Sequence, residues 1–491
     1  MRKIVLIIIF FLGNYALLAQ GSIDALRYSA LWQGGNARYM SMGGAFGALG
    51  ANTSVFSTNP AGIALYNNPE FNITPSILYT NSESIYNGER GKDSRLTAGL
   101  ANVGLVLTND ILDFKTYGKW KNIQFGFAVN QLKNFNRRSF IVGKNMSNSI
   151  ADMYAELANG GAVQDIEDDP YGEFAYDLNP AWWSYLFSNV ANTNSYYGNT
   201  PPGGVYQSKL IESWGSMNEV SISFGANYDD KLYLGATIGI PYFNYKERAT
   251  YREEALREDI PDTTFRSIAV VDRLDTQGTG INLKLGAIYR ANNWLRLGLA
   301  IHTPTFFAEV KDEWDASINS TWDSFDNESN TSELGFYEYN LTSPFKAMAS
   351  VAFIFGQHGL ISADYEIIDY SSAKLKAPDY NFSTENNDIR SLYTTANNVR
   401  LGTEWRAANI SFRGGFSYYG SPYKNSINDG SAISYSLGLG YKERNYYIDI
   451  AWITTTQSED YYLYGYNNIN TNKAVNDLKY SQFMLTYGFR F

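Results

Sequence analysis

The 491-residue sequence predicts an all-β protein, a 14-stranded antiparallel transmembrane β-barrel with an N-terminal hatch plugging the lumen. Three observations predict it. Apolar residues recur at alternate positions in rows of roughly ten residues, the length of a tilted strand crossing a membrane. Short turns alternate with long, acidic, Asn/Ser-rich connections. Residues 1–19 read as an export leader, and no other apolar stretch approaches the ~20 residues a spanning helix needs, so a membrane-embedded chain must close a sheet.

The leader has Arg2-Lys3, the apolar run Ile4 to Leu12, and Ala16-Leu17-Leu18-Ala19-Gln20 with a small residue at the cleavage point. Composition supports a barrel. Tyr (39), Gly (42) and a 16% aromatic share go with a negative mean hydropathy. No cysteine is present, which removes disulfides and thiolate metal sites. The formal charge of −10, or −12 without Arg2 and Lys3, argues against a nucleic-acid partner. Two histidines, His302 and His358, leave little for catalysis or metal ligation, so no enzyme activity, cofactor or metal is expected.

Residues 20–69 form the hatch. Gly43, Gly44, Gly47 and Gly50, a Ser/Thr/Asn cluster and then Asn59-Pro60-Ala61-Gly62 favour neither a long helix nor a regular strand, and read as a compact plug. Residues 70–491 form the barrel. Phe71, Ile73, Ile77 and Tyr79 make the first row, a Gly-rich segment at 97–108 the second, and Ile123, Phe125, Phe127 and Val129 the third. Hairpins follow at Asp229-Asp230, Asn292-Asn293, residues 356–359, Ala408-Asn409 and Arg444-Asn445. The row Phe483, Leu485, Tyr487, Phe489 and Phe491 ends the chain. The long connections near 82–96, 133–217, 246–280, 308–335, 372–396, 420–430 and 459–476 are expected outside the cell, 133–217 being the largest and carrying a helix near 149–157. The short turns are expected in the periplasm.

Met42 to Ala45 and Asn59 to Ala61 resemble the Met-Gly-Gly-Ala-like turn and Asn-Pro-Ala of the hatch in the FadL/OmpP1/TodX-type outer-membrane transporters of long-chain fatty acids and aromatic hydrocarbons. The resemblance implies a Gram-negative outer-membrane transporter for hydrophobic small molecules, monomeric, which captures ligand in loops, passes it to an apolar pocket and releases it when the hatch moves. On this reading Met42, Gly43, Gly44, Asn59, Pro60, Ala61 and Gly62 gate. Met40, Met42, Phe46, Val55 and Phe56 are candidates for the pocket, and Trp182, Trp183 and Phe187 for the loops. Phe491, preceded by alternating aromatics, resembles the signal read by the barrel assembly machinery, and lipid and lipopolysaccharide are the expected surroundings. FadL-like barrels that bind cargo proteins of a secretion pathway are the alternative.

Lys284, Arg296, Asp364, Glu366, Arg400, Glu404, Arg413 and Asp449 lie opposite the apolar rows. Each Lys or Arg would cost ~2–4 kcal/mol in lipid near the midplane, so these side chains must face the lumen. There they either pair and brace the hatch, or Lys284, Arg296, Arg400 or Arg413 receives a ligand carboxylate. The glycines at 44, 47 and 50 do not form a dinucleotide-binding loop, and no Ser-His-Asp set can be placed. The acidic group Asp165, Glu167, Asp168 and Asp169 reads as a solvated loop with Ca²⁺ or lipopolysaccharide bridging as its sharper meaning.

Overall fold

The computed structural model describes residues 21–491 apart from 33, 111–117, 170–171, 173, 202, 257–264, 324–325 and 425–427, so the expected leader lies outside the described residues. The elements that matter here are α1 (Ser22–Ser29), β1 (Glu70–Tyr86), β2 (Glu89–Asp110), β3 (Trp120–Asn134), β4 (Arg137–Asn145), α2 (Ile150–Ala158), α3 (Leu178–Trp183), β5 (Val205–Tyr228), β6 (Leu232–Ala255), β7 (Phe265–Arg290), β8 (Leu295–His302) and β9 (Phe306–Trp322). They continue with β10 (Gly335–Thr342), β11 (Lys346–Phe355), β12 (Gly359–Asp369), α4 (Ser383–Leu392), β13 (Thr395–Ala407), β14 (Ile410–Tyr419), β15 (Ala432–Lys442), β16 (Tyr446–Tyr461) and β17 (Ala474–Arg490).

Antiparallel pairing closes a ring of fourteen strands: β1, β2, β3, β5, β6, β7, β8, β11, β12, β13, β14, β15, β16 and β17, which returns to β1. Side chains alternate around it as the sequence predicts. Ile73, Ile77, Phe125, Phe127, Leu283, Leu285, Leu297, Leu299, Leu437 and Phe483 are exposed on the outer face, an apolar band that needs lipid around it. At the short-turn end the band is edged by rings: Trp294 stacks on Phe353, Phe355 on Trp405, and Phe489 on Phe491. The three-residue turn 229–231, with positive φ at Asp229 and Asp230, suits the twist of the flanking strands.

The long connections differ from expectation. Residues 82–96 are not a loop but the top of the β1–β2 hairpin, which turns at Asn87-Gly88. Most of 246–280 is strand, and β9 takes up half of 308–335. Strands β5, β6 and β7 run 24, 24 and 26 residues instead of ten. Above the lipid band the outer face meets water, so the ladder continues with polar residues on both faces and the period-2 signal is lost. Cross-strand ion pairs replace the apolar row, Lys246 with Asp275 and Arg273 with Asp315. The 133–217 segment likewise starts and ends in strand. Between them lies a lobe built on α2, the helix expected near 149–157 and capped by Ser149, and on α3; it packs on Tyr251, Val270 and Ile318 of the wall.

The wall is not uniformly sealed. β2 pairs with β3 only from Asn102↔Asn130 to the short-turn end, and from Glu89 to Ala101 it pairs with β1 alone among the described residues. β3 leaves it at Gln131, where its register with β5 also shifts, and continues as β4, still paired with β5. β4 tucks inside the β1–β2 hairpin: the lumenal hydroxyls of Thr80, Ser82 and Ser84 donate to the Asn136, Arg138 and Phe140 carbonyls at 3.1, 2.8 and 2.6 Å. A Cβ on Gly91 would stand 2.1 Å from the Phe140 carbonyl oxygen, so only glycine admits this overlap. What remains is a seam between Thr97–Ala101 and Gln131–Asn134, with Leu96 and Leu100 beside it 68% and 47% exposed.

The face assignment predicts opposite outcomes for adjacent residues. Leu297→Arg puts a guanidinium in lipid at ~2–4 kcal/mol near the midplane and should abolish or slow barrel assembly. Arg296→Leu should assemble normally. Heat-modifiable migration on gels reads both.

Candidate functional site

Residues 21–69 fill the lumen. The lower part is an irregular chain with 3₁₀ turns at Thr53–Ser57 and Pro60–Leu65, wound around Tyr39, Met42, Phe46, Leu49, Val55, Phe56 and Ile63. It comes closest to the wall where the wall carries glycine. Nine of the fourteen strands turn a glycine inward where the hatch touches: Gly104, Gly126, Gly225, Gly235, Gly286, Gly298, Gly402, Gly415 and Gly438. A Cβ on Gly235 would lie 2.2 Å from the Pro60 carbonyl oxygen, one on Gly286 1.9 Å from Asn59 Oδ1, and one on Gly298 2.1 Å from the Gly47 carbonyl oxygen.

Asn59 accounts for the Asn-Pro-Ala-Gly turn. Its Oδ1 accepts from the Ala61 amide at 3.1 Å, and its Nδ2 donates to the Gly47 carbonyl at 2.6 Å and the Ala287 carbonyl at 3.4 Å. The side chain thus ties two hatch turns to β7, while Pro60 starts the 3₁₀ turn with its φ preset. Gly43 and Gly44 take positive φ, and the Gly43 carbonyl accepts from Ser417 at 2.8 Å.

The lumenal charges face inward, and most are paired. Lys284 meets Glu219 at 2.5 Å, Arg400 meets Glu366 at 2.6 Å, and Arg413 meets Glu404 and Asp449 at 2.7 and 2.6 Å. Several wall carboxylates also hold the hatch: Asp364 accepts the Gly47 amide at 3.0 Å, Glu404 meets Arg38 at 2.9 Å, and Glu70 accepts from Tyr66 at 3.2 Å. Arg400 and Arg413 are therefore occupied by protein carboxylates. Arg296 lies toward the short-turn end, opposite Arg290 and Ala352 in register.

A cavity of about 50 Å³ lies above the hatch core. Its lining combines Tyr28, Leu31, Trp32, Leu132, Met217 and Phe307 with the polar Lys284, Glu219, Lys346, Glu366, Asn282 and His302. It forms where two prolines interrupt the wall, Pro304 between β8 and β9 and Pro344 between β10 and β11. The His302 ring is held to the Thr58 carbonyl at 2.5 Å. Lys346 has no carboxylate within 4 Å among the described residues, though Glu366 lines the same space. The cavity borders the departing β3 segment: Leu132 lines it, and a Cβ on the lining Gly34 would stand 1.8 Å from the Gln131 carbonyl oxygen.

The candidates from the sequence separate accordingly. Asn59, Pro60 and Ala61 meet the wall at Gly235 and Gly286, Met42 and Gly43 meet it at Gly402 and Gly415, and Gly62 packs within the hatch against Val55 and Gly50, while Gly44 follows in the same turn as Gly43. Phe46, Val55 and Phe56 are fully buried in the hatch core, with Met40 packed against it, and none lines the cavity. Trp182 and Trp183 lie in the α3 lobe, where Trp182 packs on Phe187 and Tyr196. Among the described residues no group of acidic or His side chains has metal-site geometry, Asp165 to Asp169 included. Lys346, Trp32 and Met217 escaped the sequence reading. Lys346 starts an apolar strand, and its lumenal position needs the break at Pro344 to be known.

These features define a membrane β-barrel whose lumen is filled by its own N-terminal segment. The fold is that of the FadL and toluene-transporter barrels, as the hatch motifs suggested. The chain matches a Pseudomonas aeruginosa FadL homologue with a TM-score of 0.56 at 13% identity, covering 94% of this chain and 99% of that one. It matches the Ralstonia pickettii toluene transporter TbuX at 0.53 and 14%, covering 94% and 99%. The CymD monoaromatic hydrocarbon channel matches at 0.51 and 13%, covering 94% and 98%. No protein-family model and no curated protein matches the sequence.

The glycine-lined contact yields a direct test. Gly286→Val places branched carbon where Asn59 sits, and overpacking of this kind costs ~1–3 kcal/mol or more. Limited proteolysis should cut the hatch of the folded variant faster than wild type. Gly99→Ala, whose Cβ meets nothing closer than 4.0 Å, should behave as wild type.

Proposed function

We propose that this protein carries hydrophobic molecules with an acidic headgroup, of the long-chain fatty-acid kind, across the outer membrane of a Gram-negative bacterium. One observation carries the reading: a cavity lined by aromatic and apolar side chains together with the Lys346 cation, with Leu132 of the departing β3 segment in its lining. Trp32, Leu31, Phe307 and Met217 suit an acyl chain. Lys346 suits its carboxylate, because the nearby Lys284 and Arg400 already hold protein carboxylates. The FadL and toluene-transporter folds support a hydrophobic cargo.

Energetics favour sideways release. Burying about a dozen methylenes is worth ~0.8 kcal/mol each, near 10 kcal/mol in total, and a path into periplasmic water gives all of it up. A path through the seam keeps the chain in apolar surroundings throughout. In this mechanism the lobe around Trp182 and Trp183 captures ligand, the cavity receives it, and the lipid beside Leu96 and Leu100 accepts it. Asn59, Pro60, Ala61, Gly62, Met42, Gly43 and Gly44 keep the lower hatch seated, so the downward route stays shut.

The test is equilibrium binding of palmitate and of toluene to purified protein. Lys346→Met should weaken palmitate ~10- to 150-fold, the worth of a charge-assisted hydrogen bond of ~1.5–3 kcal/mol, and leave toluene unchanged. Equal palmitate affinity in both proteins would remove Lys346 from the site. Wild-type protein that binds neither ligand but retains a secreted cargo protein would overturn the carrier reading.

A further inference from the structure

We infer that Lys231, Arg290 and Arg296 form an oxyanion site at the short-turn mouth of the lumen, and that it takes a phosphate group. The site stands apart from the cavity around Lys346 and does not depend on the carrier reading. Arg296 lines no part of that cavity, and no carboxylate lies within 4 Å of it or of Arg290 among the described residues.

Three neighbouring strands bring these cations into one row. Arg296 of β8 and Arg290 of β7 are directly opposite in register, and the Arg290 amide donates to the carbonyl of Lys231, just before β6, at 2.7 Å. All three share the strand alternation of Gly298, Ile288 and Tyr233, which face the hatch, so they lie on the inward side of the wall. Tyr233 and Ile288 pack on Ala61 and Ala64 of the Pro60–Leu65 turn, and the row follows one step nearer the mouth. The Tyr233 hydroxyl donates to the Asp230 carbonyl at 3.1 Å, and Arg290 Nη2 donates to Asn293 Oδ1 at 2.8 Å. Both bonds brace turns and neither neutralises charge.

Like charges directly opposite on neighbouring strands are destabilising, and a guanidinium cannot shed its proton to relieve the contact. Elsewhere at this end the chain supplies the counter-charge itself: Arg406 meets Glu404 at 2.5 Å, and Arg490 meets Glu70 at 2.9 Å. Within 4 Å the row has one carboxylate among the described residues, Asp229, which is 4.0 Å from Lys231 and 3.3 Å from Lys119. The counter-charge for Arg290 and Arg296 is therefore external. Guanidinium forks match the oxygens of carboxylates and phosphates. For a row of three cations a phosphate group brings a further acceptor oxygen and, as a monoester, a second charge. Free phosphate and the headgroup of an inner-leaflet phospholipid both carry this chemistry, and Trp294 stacked on Phe353 marks the level of such headgroups on the outside of the same hairpin.

Heat-modifiable migration tests the site with inorganic phosphate and with phosphatidylglycerol. In maltoside micelles, millimolar phosphate at constant ionic strength should raise the unfolding temperature of wild type, as binding to the folded state alone requires. Arg296→Gln should need about 10- to 150-fold more phosphate, the worth of one charge-assisted hydrogen bond. In chloride alone it should unfold no lower than wild type, because a like-charge contact is gone. Lys311→Gln, on the exposed wall at the long-loop end, should respond as wild type. In phosphatidylglycerol vesicles without phosphate, wild type that unfolds above Arg296→Gln identifies the lipid headgroup as the source. A response to phosphate in micelles alone identifies the free anion. Arg290→Gln takes the place of Arg296→Gln if that variant fails to assemble. Wild type that responds to neither probe, or a glutamine variant that is less stable in chloride or keeps the wild-type response, overturns the site.

Discussion

Everything in the lumen depends on the hatch approaching the wall closely at positions where the wall carries only glycine. Gly225, Gly235 and Gly286 are neighbours in register across β5, β6 and β7, and together they make a bare floor on which Asn59 and Pro60 sit. Gly402 and Gly415 do the same beneath Met42 and Gly43. Protein interiors yield little to compression, and a contact with no flexible layer yields least. This fixes the lower hatch, and with it the floor of the cavity.

The seam is the converse. A closed sheet satisfies its edges by pairing them, yet here β2 keeps an unpaired edge because β3 turns inward and lets β4 slide beneath β1. The overlap is held by hydroxyl-to-carbonyl bonds and by Arg138, which meets Asp93 and Glu212 at 3.3 and 3.2 Å. Such contacts are weaker and less cooperative than a ladder. The barrel therefore has a rigid base and one compliant side, and the cavity lies between the two.

Strand number, lumenal charges and the Asn-Pro-Ala-Gly turn were legible in the sequence because each follows from local periodicity or turn chemistry. Leu297 and Arg296 fall on opposite faces from alternation alone. Strand length was not legible, since beyond the lipid band Lys246, Arg248 and Arg252 give the outer face no apolar mark. The pairing of Arg400 with Glu366 and of Arg413 with Asp449 needed the strand order, which the hairpins only partly imply. Lys346 needed still more, because its place depends on a proline break in a neighbouring connection. The 42 glycines were visible as a number but not as a ring, because only the register reveals which of them share a height.

The length of β5, β6 and β7 has an electrostatic consequence. At about 3.4 Å per residue and a tilt near 40°, 24 residues rise ~60 Å, whereas the lipid band takes ~25 Å, so roughly 35 Å of barrel stands clear of the membrane. Mobile ions screen charge over ~8 Å in physiological salt. The α2–α3 lobe at the top is thus several screening lengths from the bilayer surface, and a charged molecule arriving from outside meets the protein before it can feel the field of the membrane.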